Sequence, residues 1–359
     1  MRIAYVCPGY PPQVGGVETH VSEIASRIAA EGNSVEVLST TAAPEGVAKE
    51  ASGVLVRRFP GAVLRGRFAV PWGLWRHVRA HRDEWDIVHA HDYSSPTALG
   101  PVLAGARPFV FTPHFHGRGH SAASRARHLV YRPAAAFVFR RATRVICVSR
   151  AEADLLIDHY PAVADRVDVI PNGTSRLRAG PVAGDRRPLV LSVGRLEPYK
   201  GVDAVIAAIA HLPAELSLDV IGDGGARAHL AALAASEGVA GRVRFLGSVS
   251  DAVLGRALDE SRVLVTMSSH EAFGLAPLDA LARGLPVVAS DIPAHRELHD
   301  RYGDGRMSLV PIGAPPEALA RAIARAASSG VSDPSPNLPT WDSVASITLE
   351  LYRRLVAAE

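Results

Sequence analysis

Short apolar runs rich in Val and Ile alternate along this chain with longer segments of helical periodicity. In the first half, strands are predicted at 3–7, 35–39, 87–91, 109–112, 144–149 and 167–170. Between them, helices are predicted at about 17–31, 72–82, 121–141 and 150–159. This alternation is typical of a parallel sheet covered by helices on both faces. The first half is therefore predicted to be a doubly wound α/β domain.

A stretch rich in Gly, Pro and Arg near 176–188 interrupts the pattern, which then restarts. The second half has predicted strands at 189–193, 216–221, 243–246, 262–267, 286–290 and 308–312. Its predicted helices lie at 201–211, 225–237, 250–259, 274–283, 293–299 and 315–328. A Pro-rich break at 334–339 precedes a last amphipathic segment, predicted as a helix at 340–357.

Two Rossmann-like α/β domains, 1–177 and 188–335, follow from this pattern, with 340–359 as a terminal helical segment. A length of 359 residues suits two cores better than one. Ligands of open α/β sheets bind beyond the carboxyl ends of the strands, and two such sheets can face each other across a cleft. We therefore expect function in the loops that follow strands.

Composition narrows the class of protein. Hydrophobic residues make up 48% and charged residues 21%, as in an ordinary globular chain. The start shows no secretory signal, and no apolar run reaches the roughly 18 residues of a membrane span, so a cytoplasmic protein is expected. Cys7 and Cys147 lie in apolar runs and are predicted to be buried rather than bridged or reactive.

Lysine is rare in this chain, which makes one loop conspicuous. Of 39 basic residues, only Lys49 and Lys200 are lysines. Lys200 lies five residues after Arg195 in the loop GRLEPYKGVD (194–203), directly after a predicted strand. Two cations in such a loop suit a diphosphate, because Arg offers a fork of donors and Lys a compact ammonium. The alternative is that both are solvated surface charges. A lysine in a chain that otherwise uses arginine almost throughout argues against this alternative.

A second group of residues follows the predicted strand at 262–267. Glu271 comes at its end, and Asp279 lies eight residues later. The helix between them begins at Phe273, Gly274 and Leu275. Exposed amides at a helix start favour an anion, while Glu271 can face a sugar hydroxyl and Asp279 a ribose diol. Acids near a helix start are also common as plain surface residues.

Several motifs, taken together, closely resemble glycosyltransferase family 4. They are GRLEPYKG, the Glu271–Asp279 spacing with AFGL and ARGLPVVAS, IPNG (170–173), FLGSVSD (245–251) and PPQVGGVETHV (11–21). The resemblance covers nearly the entire chain in the right order. It implies the two-domain GT-B fold with the last helix crossing back to the first domain. It also implies transfer with retention of anomeric configuration and without a metal.

The resemblance also assigns roles to residues. Arg195 and Lys200 match the family's diphosphate ligands, with Gly194 at the head of the same loop among the donor-binding residues. Glu271 matches the acid that contacts the donor sugar. Asp279 stands where the family has a second Glu, the ribose ligand, and is shorter by one methylene. Either its helix lies closer to the nucleotide or a water bridges the gap.

Three further matches concern other loops. Gly15 and Gly16 match the glycine pair that lets the first loop approach the donor, although a simple turn would also use glycines. His114 matches a histidine facing the reacting sugar, with His116 as a rival and ordinary loop histidines as the alternative.

The loop 247–251 matches the one whose backbone holds the nucleotide base. Val249 and Asp251 are its donor-binding candidates, and Asp251 is also suited to capping the helix that follows.

The expected function is transfer of a hexose or N-acetylhexosamine unit from a UDP- or GDP-sugar to a glycolipid, polysaccharide precursor or secondary metabolite. No cofactor, catalytic metal or nucleic-acid partner is expected. Alternatives are a nucleotide-sugar epimerase of the same fold and a two-lobed sugar-binding protein. A dehydrogenase is disfavoured because GDGG (222–225) lacks the third glycine of the dinucleotide fingerprint, and a pyridoxal-phosphate phosphorylase because neither lysine is suitably placed.

The segment 118–144 is strongly basic. Between Tyr93 and Ala151 there are nine Arg and no acid, and the Arg include Arg118, Arg125, Arg127, Arg132, Arg140, Arg141 and Arg144. The predicted helix there also carries Leu129, Val130, Phe137 and Phe139. Such a surface would attract an anionic acceptor or membrane head groups, giving peripheral membrane association. The alternative is a solvated helix face in an Arg-biased chain.

Overall fold

The computed structural model describes residues 1–42, 44–61, 70–117, 122–174, 186–330 and 337–358, with only the backbone for 122–131. It divides into two compact units. Unit 1 comprises Met1–Asn172 and Pro339–Glu359, and unit 2 comprises Gly173–Leu338. The linker predicted near 176–188 and the Pro-rich break lie largely outside the described residues.

Unit 1 is built on an eight-stranded sheet in the order β3-β4-β2-β1-β5-β6-β7-β8. Its strands are β1 Arg2–Cys7, β2 Ser34–Thr41, β3 Gly46–Lys49, β4 Leu55–Pro60, β5 Ile87–His91, β6 Phe109–Thr112, β7 Arg144–Cys147 and β8 Val167–Val169. All neighbours pair in parallel except β3, which runs antiparallel to β4 at the edge. The expectation of a purely parallel sheet is therefore wrong at this hairpin.

Helices cover this sheet, since its central strands are apolar on both faces. The helices before residue 172 are α1 Gly16–Ala30, α2 Trp72–His81, α3 Leu99–Ala104, α4 Ala122–Arg141 and α5 Arg150–His159. Ser149 caps α5 by accepting a hydrogen bond from the Glu152 amide. The buried free thiols of Cys7 and Cys147 lie at the ends of β1 and β7.

Unit 2 has a six-stranded parallel sheet in the order β11-β10-β9-β12-β13-β14. The strands are β9 Leu189–Val193, β10 Ser217–Ile221, β11 Val243–Gly247, β12 Val263–Thr266, β13 Val287–Ser290 and β14 Met307–Val310. The helices are α6 Val202–Ile209, α7 Arg227–Ser236, α8 Asp251–Glu260, α9 Leu275–Leu281, α10 Pro293–Leu298 and α11 Pro316–Ser328. Strand order reverses between β9 and β12, and the loops that follow these two strands therefore lie side by side.

The last helix, α12 Trp341–Ala357, belongs to unit 1 although unit 2 precedes it in sequence. Thr340 and Ser343 form a capping box that fixes its start. The helix packs on α1, and its Tyr352 is fully buried and donates a hydrogen bond to the Tyr5 hydroxyl of β1. The final helix thus completes the core of the first domain. Among the described residues, no helix combines the length and hydropathy needed to cross a bilayer.

Candidate nucleotide-sugar site

The loop after β9 carries the two predicted cations. Arg195 is exposed, and its Nη2 donates a hydrogen bond of 2.9 Å to the hydroxyl of Tyr199. Gly194 leads into the loop, and its amide donates to the carbonyl of Ile221 on the neighbouring strand. The loop is therefore held against the sheet at its base while its guanidinium reaches solvent.

This loop is tied to the end of β12 at Gly201. Gly201 has φ +65°, and a Cβ there would lie 2.2 Å from the carbonyl oxygen of Met267. The amide of Ser269 also donates to the carbonyl of Tyr199 at 2.8 Å. Only glycine permits this close approach, which brings the segment containing Lys200 beside the segment containing Glu271.

Lys200 and Glu271 form an ion pair, with Nζ donating to Oε1 at 2.6 Å. Their side chains are 18% and 20% exposed, so the pair is largely removed from water yet still reachable. Burial favours the neutral form of Glu271, but the Lys200 ammonium outweighs it and lowers the pKa to about 2. Burial likewise disfavours the ammonium, yet the carboxylate raises the pKa of Lys200. Both groups are therefore charged at neutral pH.

An aromatic pair lies against these charges. The rings of Tyr199 and His270 stack with centroids 4.5 Å apart, and Lys200 Nζ lies 5.2 Å from the Tyr199 centroid. The stack limits the positions open to the ammonium. The sequence did not indicate this stack, because Tyr199 and His270 are 71 positions apart. They become neighbours only in the fold, where β9 and β12 pair.

The start of α9 differs from the expectation. The predicted helix at 274–283 is observed as Leu275–Leu281, a helix of only seven residues. Gly274 precedes it with φ +111°, and Phe273 is buried. The positive φ favours glycine, and a Cβ at Gly274 would lie 2.8 Å from a methyl carbon of Leu298, which would have to shift.

Asp279 lies inside α9 and is 5% exposed. Its Oδ1 accepts a hydrogen bond of 2.6 Å from the hydroxyl of Thr174. The carboxylate is therefore a buried, hydrogen-bonded group and not a solvated helix residue. Thr174 follows the PNG motif directly and was not singled out from the sequence.

His295 is a second residue that the sequence did not reveal. It is fully buried in α10, and its Nδ1 contacts the carbonyl of Ser290 at 2.9 Å. Within the described part of the chain, its buried Nε2 has no hydrogen-bond partner. Its ring borders Gly274, and Glu271 acts on it electrostatically. In the sequence, the only indication of His295 was that its segment PAHREL (293–298) follows a predicted strand.

The predicted base-binding loop lies after β11. Val249 is half-buried, and Asp251 is exposed as the first residue of α8. Ser250, and not Asp251, occupies the cap position, so the alternative role of Asp251 as the helix cap is wrong.

The glycine pair and His114 belong to unit 1. Gly15 is extended at the cap position of α1, and Gly16 is the first residue of that helix. His114 follows β6 with φ +49°, a backbone conformation that costs a non-glycine residue about 1–3 kcal/mol. Buried Glu152 holds this loop by accepting the amide hydrogens of Phe115 and Val148. His116 lies two residues further on and is half-buried.

His114 is not alone, which the sequence did not predict. The rings of His20, His91 and His114 lie with centroids 5.0–5.8 Å apart. His89 packs against His91 at 4.1 Å. The HAH motif (89–91) at the end of β5 could have indicated this cluster, because β5 pairs with β6 and His114 lies in the loop after β6.

The basic segment is partly confirmed as a surface. Arg132, Arg140 and Arg141 are exposed, with the Arg141 guanidinium 5.4 Å from the Phe137 ring centroid. Phe139, however, is buried in the core of unit 1, and Arg144 forms an ion pair with Asp168. Arg118 lies outside the described residues, as do the side chains of Arg125, Arg127, Leu129 and Val130.

Comparison with solved structures defines the fold. Sucrose-phosphate synthase (tll1590) from Thermosynechococcus elongatus superimposes with a TM-score of 0.84 at 21% identity over 100% of both chains. Anabaena Alr3699/HepE, solved in complex with UDP and glucose, gives a TM-score of 0.72 at 21% identity over 100% of this chain and 96% of that one. The two Rossmann-like units therefore have the GT-B fold.

Sequence comparison identifies the class of protein. Residues 14–176 match Glycosyltransferase Family 4, and residues 174–335 match Glycosyl transferases group 1. A D-inositol 3-phosphate glycosyltransferase of Mycobacterium sp. (strain KMS) is 31% identical over 77% of this chain and 70% of its own. The chain belongs to glycosyltransferase family 4, as the sequence motifs had implied, and is an enzyme that transfers glycosyl groups.

Proposed function

We propose that this enzyme transfers a hexose or N-acetylhexosamine unit from a nucleotide-diphosphate sugar, with retention of configuration and without a catalytic metal. The contact between Lys200 and Glu271, beside the exposed Arg195, carries this proposal. It combines two cations for a diphosphate with one carboxylate for a sugar within a single pair of loops.

The leaving diphosphate accumulates negative charge as the glycosidic bond breaks. Lys200 is already charged and held in position by Glu271, so it stabilises this charge without reorganising. Arg195 adds a fork of donors from the solvent side. In a front-face displacement the departing phosphate accepts the acceptor's proton, and no protein nucleophile is required.

The two acids, Glu271 and Asp279, bind the hydroxyl groups of the donor in this proposal. Glu271 remains ionised, and its carboxylate is the acceptor for a donor-sugar hydroxyl in this proposal. Asp279, whose Oδ1 accepts a hydrogen bond from Thr174, is the ribose ligand in this proposal. Such charge-assisted bonds contribute about 1.5–3 kcal/mol each before desolvation.

UDP is the first nucleotide to test, because a protein of the same fold binds it, with GDP as the competing candidate. The relative named for D-inositol 3-phosphate supports a polyol phosphate as the first acceptor. Exposed Arg132, Arg140 and Arg141 would favour such an anion, or an anionic lipid surface, near α4.

The test begins with thermal-shift measurements against UDP, GDP, ADP and TDP, since a bound nucleotide raises stability by mass action. The preferred nucleotide is then assayed as its sugar conjugates with inositol phosphate and sugar acceptors, following nucleotide release and the anomer formed. We expect Arg195→Ala and Lys200→Ala to lower turnover by roughly 10²-fold or more.

Arg187→Ala is the matched control, because Arg187 is an exposed arginine of unit 2 that pairs with Glu260. Near-normal turnover in both loop variants would refute the diphosphate assignment. Conversion of the nucleotide sugar without transfer would instead identify an epimerase, and binding without any turnover a sugar-binding protein.

A further inference from the structure

Three histidines of unit 1 converge from separate elements. His20 comes from α1, His91 from the end of β5 and His114 from the loop after β6. One nitrogen of each lies within 4.8 Å of one nitrogen of each other. His20 and His91 are buried, and His114 is half-buried.

Several of these nitrogens lack the partners that buried polar atoms normally have. Among the described residues, neither ring nitrogen of His91 has a hydrogen-bond partner, and the same holds for Nε2 of His114. An unsatisfied buried polar atom costs about 1–3 kcal/mol. These unpartnered nitrogens belong to two of the three converging rings, and unpartnered nitrogens in such a cluster favour a bound ligand.

The surrounding contacts prepare His20 as a metal ligand. Its Nδ1 lies 2.7 Å from the side-chain oxygen of Asn172. An amide oxygen can only accept, so the proton stays on Nδ1 and Nε2 keeps its lone pair. Metal-binding histidines usually hold their other N–H in this way. His89 differs, because both its nitrogens are taken, by Tyr352 and Thr112.

We propose that His20, His91 and His114 bind one divalent transition-metal ion of the Zn²⁺ class, with a fourth position open to solvent or substrate. Three neutral imidazoles are an established zinc ligand set. A tetrahedral ion with bonds of about 2.0–2.1 Å places its nitrogens about 3.4 Å apart. In the structure these nitrogens lie within 4.8 Å of one another. Rotamer changes that move each side chain by the order of 1 Å would therefore bring them to the separation that the ion requires.

The proposal concerns binding and does not rest on the proposed transfer reaction. The full chain is stripped with EDTA and then titrated with Co²⁺, following the visible absorption of the tetrahedral ion. Zn²⁺ is titrated in competition with a chromogenic chelator. We expect one ion per chain, with both metals competing for the same site.

Variants separate this site from adventitious binding. His20→Ala, His91→Gln and His114→Ala should each weaken Zn²⁺ binding by at least 100-fold, and Asn172→Ala by about 10–100-fold. His211→Ala removes an exposed histidine of unit 2 and should change nothing. His114 lies in a loop, so its variant remains informative if a core variant fails to fold.

Fewer than one ion per chain, or wild-type affinity in the His114→Ala variant, would overturn the proposal. In that case the unsatisfied nitrogens belong to bound water or to sugar hydroxyls. Because the readout is absorption, an inactive enzyme could still confirm the metal site.

Discussion

Replacing Glu271 by Gln tests the electrostatics of the donor loop, since it keeps the side chain's shape and removes the charge facing Lys200. Two unit charges at the observed 2.6 Å attract by about 6 kcal/mol at an effective dielectric constant of 20. Desolvation offsets part of this attraction. The fall in the pKa of Glu271 from 4.5 to about 2 corresponds to about 3 kcal/mol. We therefore expect Glu271→Gln to destabilise unit 2 by about 3 kcal/mol at pH 7.

The same pKa sets the pH dependence. A carboxylate with a depressed pKa stabilises the fold fully above its unfolded value, and this contribution is lost as pH falls through the folded value. The difference between wild type and Glu271→Gln should accordingly be constant above about pH 5 and shrink from pH 4.5 towards pH 2.

The assay must observe unit 2 alone, because all four tryptophans (Trp72, Trp75, Trp85 and Trp341) lie in unit 1. Amide hydrogen exchange in β9 and β12 serves this purpose, and about 3 kcal/mol corresponds to exchange roughly 100-fold faster in the variant. Glu260→Gln removes a half-exposed pair with Arg187 and should cost less than about 1 kcal/mol. Equal effects of the two variants would refute the reasoning.

The remaining predictions address other parts of the molecule. Asp279→Ala should weaken nucleotide binding about tenfold or more by calorimetry, and Thr174→Val should weaken it less; wild-type affinity in Asp279→Ala would leave Asp279 a purely structural residue. Asp279→Glu should lose affinity if α9 lies close to the ribose and should bind as well or better if a water bridges the gap. Gly201→Ala should destabilise unit 2 by more than about 2 kcal/mol in urea unfolding, because its Cβ meets the Met267 carbonyl, whereas Gly225→Ala, with open space around it, should not. Turnover should survive EDTA, and complete loss that Mg²⁺ or Mn²⁺ restores would contradict the role given to Arg195 and Lys200. Anionic liposomes should float the protein more than neutral ones through Arg132, Arg140 and Arg141, and equal flotation would remove the membrane proposal.

The sequence predicted the fold well because its apolar runs coincide with strands buried on both faces. Strands 189–193 and 109–112 have the predicted bounds. The hairpin β3-β4 was missed because Gly46–Lys49 is exposed throughout and lacks an apolar signature. Helix α3 was missed because only six residues form it.

The sequence predicted the candidate site only where the functional residues lie together in one loop. Arg195 and Lys200 share such a loop, and the family resemblance added Glu271. Contacts between distant segments, such as Thr174 with Asp279 and His20 with His91, have no local pattern. They arise from strand order and loop geometry, which the sequence does not display.

The return of α12 to unit 1 reverses the order in which the two units can be completed during synthesis. Unit 2 has all its residues once Leu338 has been made, but the first sheet still lacks Trp341 and Tyr352. Until then the hydroxyl partners of His89 and Tyr5 are missing, and the apolar face of α1 lacks its neighbour. Unit 1 is thus synthesised first but completes its fold last. A chain truncated after residue 338 would lack contacts in the N-terminal sheet, far from the truncation in sequence.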